Sequence, residues 1–302
     1  MKQQYKEINL RRDTLDLIAF INRLISSYRA QGFTLSVRQL YYQLVARAIV
    51  ENTEKSYKRV ASIINDGRLA GLIDWDAIED RGRDIVLRTR WESGASIVNA
   101  AARGYHMDMW DNQEHRVFVI VEKAALAGVL EGVCQKYDVP LLAARGYPSV
   151  SVLRELTLEH ITPAINAGQY VTVLHLGDHD PSGIDMTRDL EERMTMFAEG
   201  DTADYDMLTI QRIALTMAQI DEKNPPPNPA KTTDARFRDY RRRYGDESWE
   251  LDALEPSYLV NLVETSILGF VDQSSWDERS EHVESIRTKL TKTARNFEKE
   301  GA

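Results

Sequence analysis

A single cysteine, Cys134, in 302 residues leaves no disulfide within the chain and no cysteine-based zinc centre. Apolar runs are short, and none approaches the roughly 20 residues of a membrane span. The first twelve residues are polar and charged and lack the apolar segment of a secretion signal. These absences point to a cytoplasmic protein without a membrane partner. No G-x-x-x-x-G-K-[ST] loop occurs, so the chain carries no ATPase motif of that kind. Internal repeats are missing too.

Net positive charge is also lacking. The balance of −9 argues at first against a nucleic-acid partner. Its distribution weakens that objection. Residues 1–110 carry 17 Lys and Arg against 13 Asp and Glu, a balance of +4, which leaves −13 for the rest. The N-terminal third is therefore the better candidate for phosphate contact, and part of the remaining acidity suits metal ligands.

The length exceeds the usual size of one domain, and 43% hydrophobic with 28% charged residues suits a globular chain, so two domains are expected. Residues 13–31 predict an amphipathic helix through Leu15, Ile18, Ile21, Leu24 and Ile25, ended by Gly32. A second helix starts at Ser36 as N-cap and carries Val37, Leu40, Tyr41, Leu44, Val45 and Ala48. A third spans 54–71. Three short helices followed by Leu72–Trp75 suggest a winged-helix DNA-binding module over residues 1–107, with Lys58, Arg59 and Arg68 on its third helix and Arg81 and Arg83 just beyond. A generic helical bundle with a solvated face is the bland alternative. Residues 108–275 alternate buried strand patterns (117–121, 139–143, 170–176) with helical ones (153–167, 185–197), which predicts an α/β domain with a mostly parallel sheet flanked by helices. A proline-rich stretch, 224–229, opens a basic segment with Arg236, Arg238, Arg241, Arg242 and Arg243. Residues 276–302 read as a polar C-terminal helix that packs on the body or on a second subunit.

Two predicted strands end in acids. The first runs into Glu122-Lys123, and the third into Gly177-Asp178-His179-Asp180-Pro181-Ser182-Gly183. In a parallel sheet the carboxyl ends share one edge, where ligands bind. Glu122, Asp178 and Asp180 then form a hard-oxygen set suited to Mg²⁺, with Mn²⁺ as a substitute. Glu250 and Asp252, two residues apart, add a second metal position or merely cap the following helix. His175 and His179 invite comparison with metallophosphoesterases. Those need Asp-x-His at the end of the first strand, where this chain has Glu-Lys-Ala.

Val-Glu-Lys at 121–123, Arg-Gly-Tyr-Pro at 145–148 and Gly-Asp-His-Asp-Pro-Ser-Gly at 177–183 resemble the Toprim domain. The order and spacing are similar to those of the topoisomerase VI A subunit and the meiotic double-strand-break transesterase. Val37-Arg38-Gln39-Leu40-Tyr41-Tyr42 resembles the arginine-then-tyrosine-pair motif of that family, whose winged helix carries the second tyrosine as nucleophile. The chain also resembles compact A-type proteins of mobile elements and the nuclease subunit of a plasmid-defence complex. The similarity covers roughly residues 34–270, and His179 departs from it, since the family often has a small residue there.

This resemblance implies Mg²⁺-dependent cleavage of double-stranded DNA. Tyr42 would be the nucleophile, Arg38 its phosphate partner, Glu122, Asp178 and Asp180 the metal ligands, and Lys123, Gly146 and His179 supports. It further implies a homodimer in which Tyr42 of one subunit serves the metal of the other, and a separate ATPase subunit for any strand passage. At about 100° per residue Tyr41 falls on the apolar stripe of its helix and Tyr42 falls off it, so Tyr42 is expected to point outward, on the face of Arg38. The alternatives are a hydrolytic Toprim nuclease with a structural Tyr42, and a non-catalytic DNA-binding regulator.

Overall fold

The computed structural model describes residues 2–79 and 90–300; Arg81 and Arg83 lie outside them. Helices α1 (Arg12–Ala30), α2 (Val37–Ala46) and α3 (Glu54–Leu69) surround one apolar core, with Ile21, Leu40, Leu44, Ile64 and Ile73 essentially closed to water. Short strands β1 (Leu35–Ser36) and β2 (Ile78–Glu79) pair beside them in parallel. The start of α2 is set by Ser36, whose hydroxyl accepts from Gln39 N while the Gln39 side chain accepts from Ser36 N. This reciprocal cap satisfies two helix-end donors.

Helix α4 (Gly94–Gly104) follows, and then the chain alternates strand and helix. β3 (His115–Val121), α5 (Ala124–Lys136), β4 (Leu141–Ala143), α6 (Val150–Glu155), α7 (Thr162–Asn166), β5 (Tyr170–Leu176), α8 (Pro181–Glu199), β6 (Leu208–Ala214) and α9 (Met217–Lys223) come in that order. The four strands form a wholly parallel sheet in the order β4-β3-β5-β6. Strand β3 is buried on both faces. Val117, Val119 and Val121 pack toward α5 and a later helix, α11 (Pro256–Leu268), whereas Phe118 and Ile120 pack toward α6–α8. Such two-sided burial explains the continuous apolar run, and each fully buried Val, Ile or Phe contributes about 1.5–3 kcal/mol. The chain is thus mixed α/β, with a parallel four-stranded sheet flanked by helices.

After α9 come β7 (Asn228–Pro229), α10 (Phe237–Tyr244) and β8 (Glu247–Ser248), the two strands pairing antiparallel. The long C-terminal helix α12 (Gln273–Glu300) lies along α4: Ala102 and Ala294 are buried and Arg287 donates to the Tyr105 carbonyl at 3.0 Å. Residues 94–104, expected with the N-terminal module, therefore pack on the last helix of the chain. Among the described residues, no helix is long and apolar enough to cross a membrane.

Candidate metal centre and tyrosine cavity

Strands β3 and β5 pair in register to their last residues, Val121 opposite Leu176. Glu122 and the Gly177–Asp180 loop therefore leave the sheet side by side. Glu122 N donates to the Leu176 carbonyl at 2.9 Å, and Asp178 N donates to Glu122 Oε2 at 2.9 Å. Asp180 is the N-cap of α8; its Oδ1 accepts from Gly183 N at 2.6 Å and from Ser182 Oγ at 2.8 Å. Pro181 suits the first helical position, where no N–H is needed. Gly183 is required for space, since a Cβ there would stand 2.2 Å from the Asp178 carbonyl oxygen. Gly146, at φ +89°, donates its N–H to the Glu122 carbonyl at 3.1 Å and so braces the same strand end.

A backbone bridge between His179 and Trp249 brings in a distant segment. His179 N donates to Trp249 O at 2.8 Å, and Trp249 N returns to His179 O at 3.0 Å. Leu251 N then donates to Asp178 Oδ1 at 2.8 Å. Glu250 and Asp252 arrive next to Asp178, and one ligand oxygen from each of the three lies within 4.8 Å of the others. The Lys123 ammonium sits inside this group, 3.0 Å from Asp178 Oδ1, 2.9 Å from Asp252 Oδ1, and hydrogen-bonded to Glu250 Oε2.

The expected trio and the observed one share only Asp178. Glu122 and Asp180 are not in the converging group, and the doublet that sequence reasoning treated as a helix cap or second position supplies the two converging partners. The residues fit a hard divalent cation: three carboxylates meet, and buried Asp252 Oδ2 accepts no hydrogen bond among the described residues, although Arg38 Nε is 3.3 Å away.

Electrostatics follow the same partition. Burial raises Asp178 well above the ordinary carboxylate range, and Lys123 opposes it. Burial also raises Glu122, with Asp180 adding repulsion. Burial works against ionisation of Glu250, but Lys123, Arg38 and Lys231 override it and hold that carboxyl below its usual value. Burial likewise disfavours the charge on Lys123, and Asp252, Asp178 and Glu250 reverse this and keep it firmly protonated.

Tyr42 is buried, with 6% of its surface exposed, and does not point outward to solvent as the helical wheel implied. The wheel assigned it to the non-core face of α2, but the Leu251–Ala253 turn packs on that face, and Ala253 joins the N-terminal core. Tyr42 instead lines a cavity of about 400 Å³ with Arg38, Asn52, Tyr57, Asp180, Lys231 and Glu250. Its phenol is pushed up to about 12, chiefly by burial and then by Asp252 and Glu250, while Lys123 and Arg38 pull it down. Arg38 spans the gap: its guanidinium carbon is 5.9 Å from the Tyr42 ring centre, Nη2 is 3.3 Å from Glu250 and Nε 3.3 Å from Asp252. Tyr41 differs. Its hydroxyl accepts from Thr53 N at 2.9 Å and lies 3.1 Å from the Glu51 carbonyl, which ties it into the framework. One chain thus carries Tyr42, Arg38, Asp180 and Glu250 on one cavity.

Of the expected DNA contacts on α3, Arg68 turns inward and donates to the Trp75 and Ile78 carbonyls at 3.0 and 2.6 Å. Lys58 is exposed and paired with Glu54 at 2.7 Å, and Arg59 is exposed. His179, expected as a support of the site, packs its ring on Tyr240, Tyr244 and Trp249, and burial lowers its pKa to about 4. His175 is fully buried against Thr187 Oγ1 at 2.9 Å, and burial lowers it to about 3. Sequence reasoning missed Arg212, which donates to the carbonyls of Gly177, Asp178 and Gly183 at 2.7–2.9 Å and so pins the acidic loop. Its one signal was a lone arginine in an otherwise strand-like run. No protein-family model matches the chain, and no curated protein matches its sequence.

Proposed function

We propose that the chain cleaves the phosphodiester backbone of double-stranded DNA by tyrosine transesterification, in a winged-helix plus Toprim arrangement. The observation that carries the reading is the shared cavity, where Tyr42 and Arg38 face Glu250 and Asp180, with Asp178 and Asp252 immediately behind. Arg38 offers a fork of donors for the scissile phosphate and lowers the pKa of the phenol beside it. Tyr42 Oη bonds to phosphorus as the bond from phosphorus to the adjoining sugar's oxygen breaks, and the proton lost by the phenol is balanced by one that the departing oxygen takes up from water. Asp178, Glu250 and Asp252 would hold Mg²⁺ or Mn²⁺, which supplies positive charge to the phosphate in the transition state. Lys123 offsets part of the effect of burial on Asp178 and helps hold Glu250 ionised.

One observation favours hydrolysis as the second reading: a phenol pushed up to about 12 is almost wholly protonated at neutral pH. The test is incubation with supercoiled DNA and Mg²⁺, then denaturation with and without protease. Transesterification predicts cut DNA that enters the phenol layer until protease releases it, and none from Tyr42→Phe. Protein-free ends, with cutting preserved in Tyr42→Phe, establish the hydrolytic reading instead.

A further inference from the structure

The basic segment around α10 has no part in the chemistry above. Residues 231–243 hold six Lys and Arg against two Asp, an island of +4 in a region whose total is strongly negative. Its placement is not incidental. Tyr240 is the buried anchor of α10, and its hydroxyl lies 2.9 Å from His179 Nδ1, from the His179 carbonyl and from the Glu247 carbonyl. Tyr244 packs edge-on against the same His179 ring at 4.7 Å. The helix is therefore fastened to the loop that carries Asp178 and Asp180.

Arg238 and Arg242 are each two residues from Tyr240, about 200° around the helix, and so stand on the opposite, solvent face, with Arg241 on its flank. All three are exposed, and Arg238 makes no ion pair among the described residues. Lys231 continues the positive surface to the cavity itself: it is 74% exposed, lines the cavity beside Arg38, and its Nζ is 4.0 Å from Asp180 Oδ2. Helix α3 offers less, since Arg68 is engaged with internal carbonyls; its exposed Lys58–Glu54 pair is of the same kind as the exposed Arg241–Asp246 and Arg242–Asp239 pairs, which water screens and a phosphate can replace.

We propose that Lys231 and the outer face of α10, through Arg238, Arg241 and Arg242, form the surface that grips the DNA backbone next to the cavity. Charge complementarity selects the partner: a row of guanidinium groups at i, i+3 and i+4 suits closely spaced phosphates, and it leads into a cavity whose wall holds another arginine. The proposal rests on reading that cavity as a phosphodiester site.

The test is fluorescence anisotropy of a labelled duplex of about 30 base pairs over a range of salt, without divalent metal to prevent cutting. In Arg238→Gln/Arg241→Gln/Arg242→Gln, binding at low salt should weaken at least about tenfold and the log–log salt slope should fall by about 2–3. Replacing the same three by lysine should keep most of the slope, and Lys58→Gln/Arg59→Gln should change it less. Melting temperatures check that each variant is folded, and Arg242→Gln alone serves if the triple variant is not.

An unchanged slope in a folded glutamine variant overturns the proposal. So does a larger effect from α3, or tighter binding of wild type to an RNA duplex or poly-glutamate than to DNA. The two readings separate cleanly. If cleavage needs Tyr42 while the slope ignores α10, only this inference falls. If the slope responds but cutting survives Tyr42→Phe, transesterification falls and the surface stands.

Discussion

Asp178 divides the acidic edge into two sides that are held in different ways. On one side, Glu122 and Asp180 are satisfied by fixed donors: a backbone N–H for Glu122, and a backbone N–H with a hydroxyl for Asp180. On the other, Glu250 and Asp252 are held by side-chain cations, the Lys123 ammonium and the Arg38 guanidinium. Backbone donors cannot leave, whereas a lysine on a flexible stem can yield its position to another cation. Such donors suit a framework on the first side and a site that could hold a metal ion on the second.

The largest expected effect concerns the residue common to both sides. Asp178→Asn should abolish cleavage and divalent-dependent thermal stabilisation, and Asp252→Asn should weaken divalent affinity by about tenfold or more, the loss of one charged ligand being worth about 1.4 kcal/mol at least. Titration calorimetry with Mg²⁺ and Mn²⁺ measures both. Wild-type affinity in the Asp178→Asn/Asp252→Asn double variant breaks the comparison.

Removing the internal cation is next. Lys123→Met leaves buried Asp178 and Asp252 and half-buried Glu250 without their ammonium, so metal-free stability should drop by about 3–5 kcal/mol. Added divalent ion should restore much of it and stabilise the variant more than wild type. A variant equally unstable with and without metal would show that Lys123 belongs to the framework.

Acid should act through two buried histidines, His179 in the bridge to Trp249 and His175 in β5. His175 and His179 titrate near 3 and 4 in the fold, lowered by burial, against about 6.5 when unfolded. Below pH 6.5 the unfolded chain takes up protons that the fold refuses. Their contribution is therefore complete above 6.5 and is lost as pH falls through 4 and then 3. Melting temperature against pH should decline over that window, and less steeply in His179→Phe.

The smallest effect is on the framework side. Asp180→Ala removes an N-cap and should cost about 1 kcal/mol of folding stability, while divalent affinity stays within about threefold. Chemical denaturation and calorimetry separate the two. A tenfold loss of affinity would make Asp180 a ligand, as the sequence first implied.

Much of this was legible in the chain. The apolar β-branched runs at 117–121 and 170–176 stand as buried parallel strands, and Ser36 caps α2. These are local signals with a fixed physical period. What was not legible depends on contacts distant in sequence. Glu250 and Asp252 meet Asp178 through the His179–Trp249 bridge, 70 residues apart, and only the matching two-residue spacing of both acid doublets hinted at it. Tyr42 is buried because another part of the chain covers its face of α2, which a helical wheel cannot register. Lys123 was recognised as a neighbour of the site, but its place inside the triad follows from where three separate segments converge.

The central claim is that one chain supplies both tyrosine and carboxylates to a single centre. Mixing Tyr42→Phe with Asp178→Asn, after denaturation and joint refolding to allow exchange of subunits, tests it directly on supercoiled DNA. If both parts act within one chain, every subunit in the mixture is defective and neither nicks nor breaks appear. If the tyrosine of one subunit served the carboxylates of another, mixed dimers would regain one intact centre, and restored nicking would contradict the account.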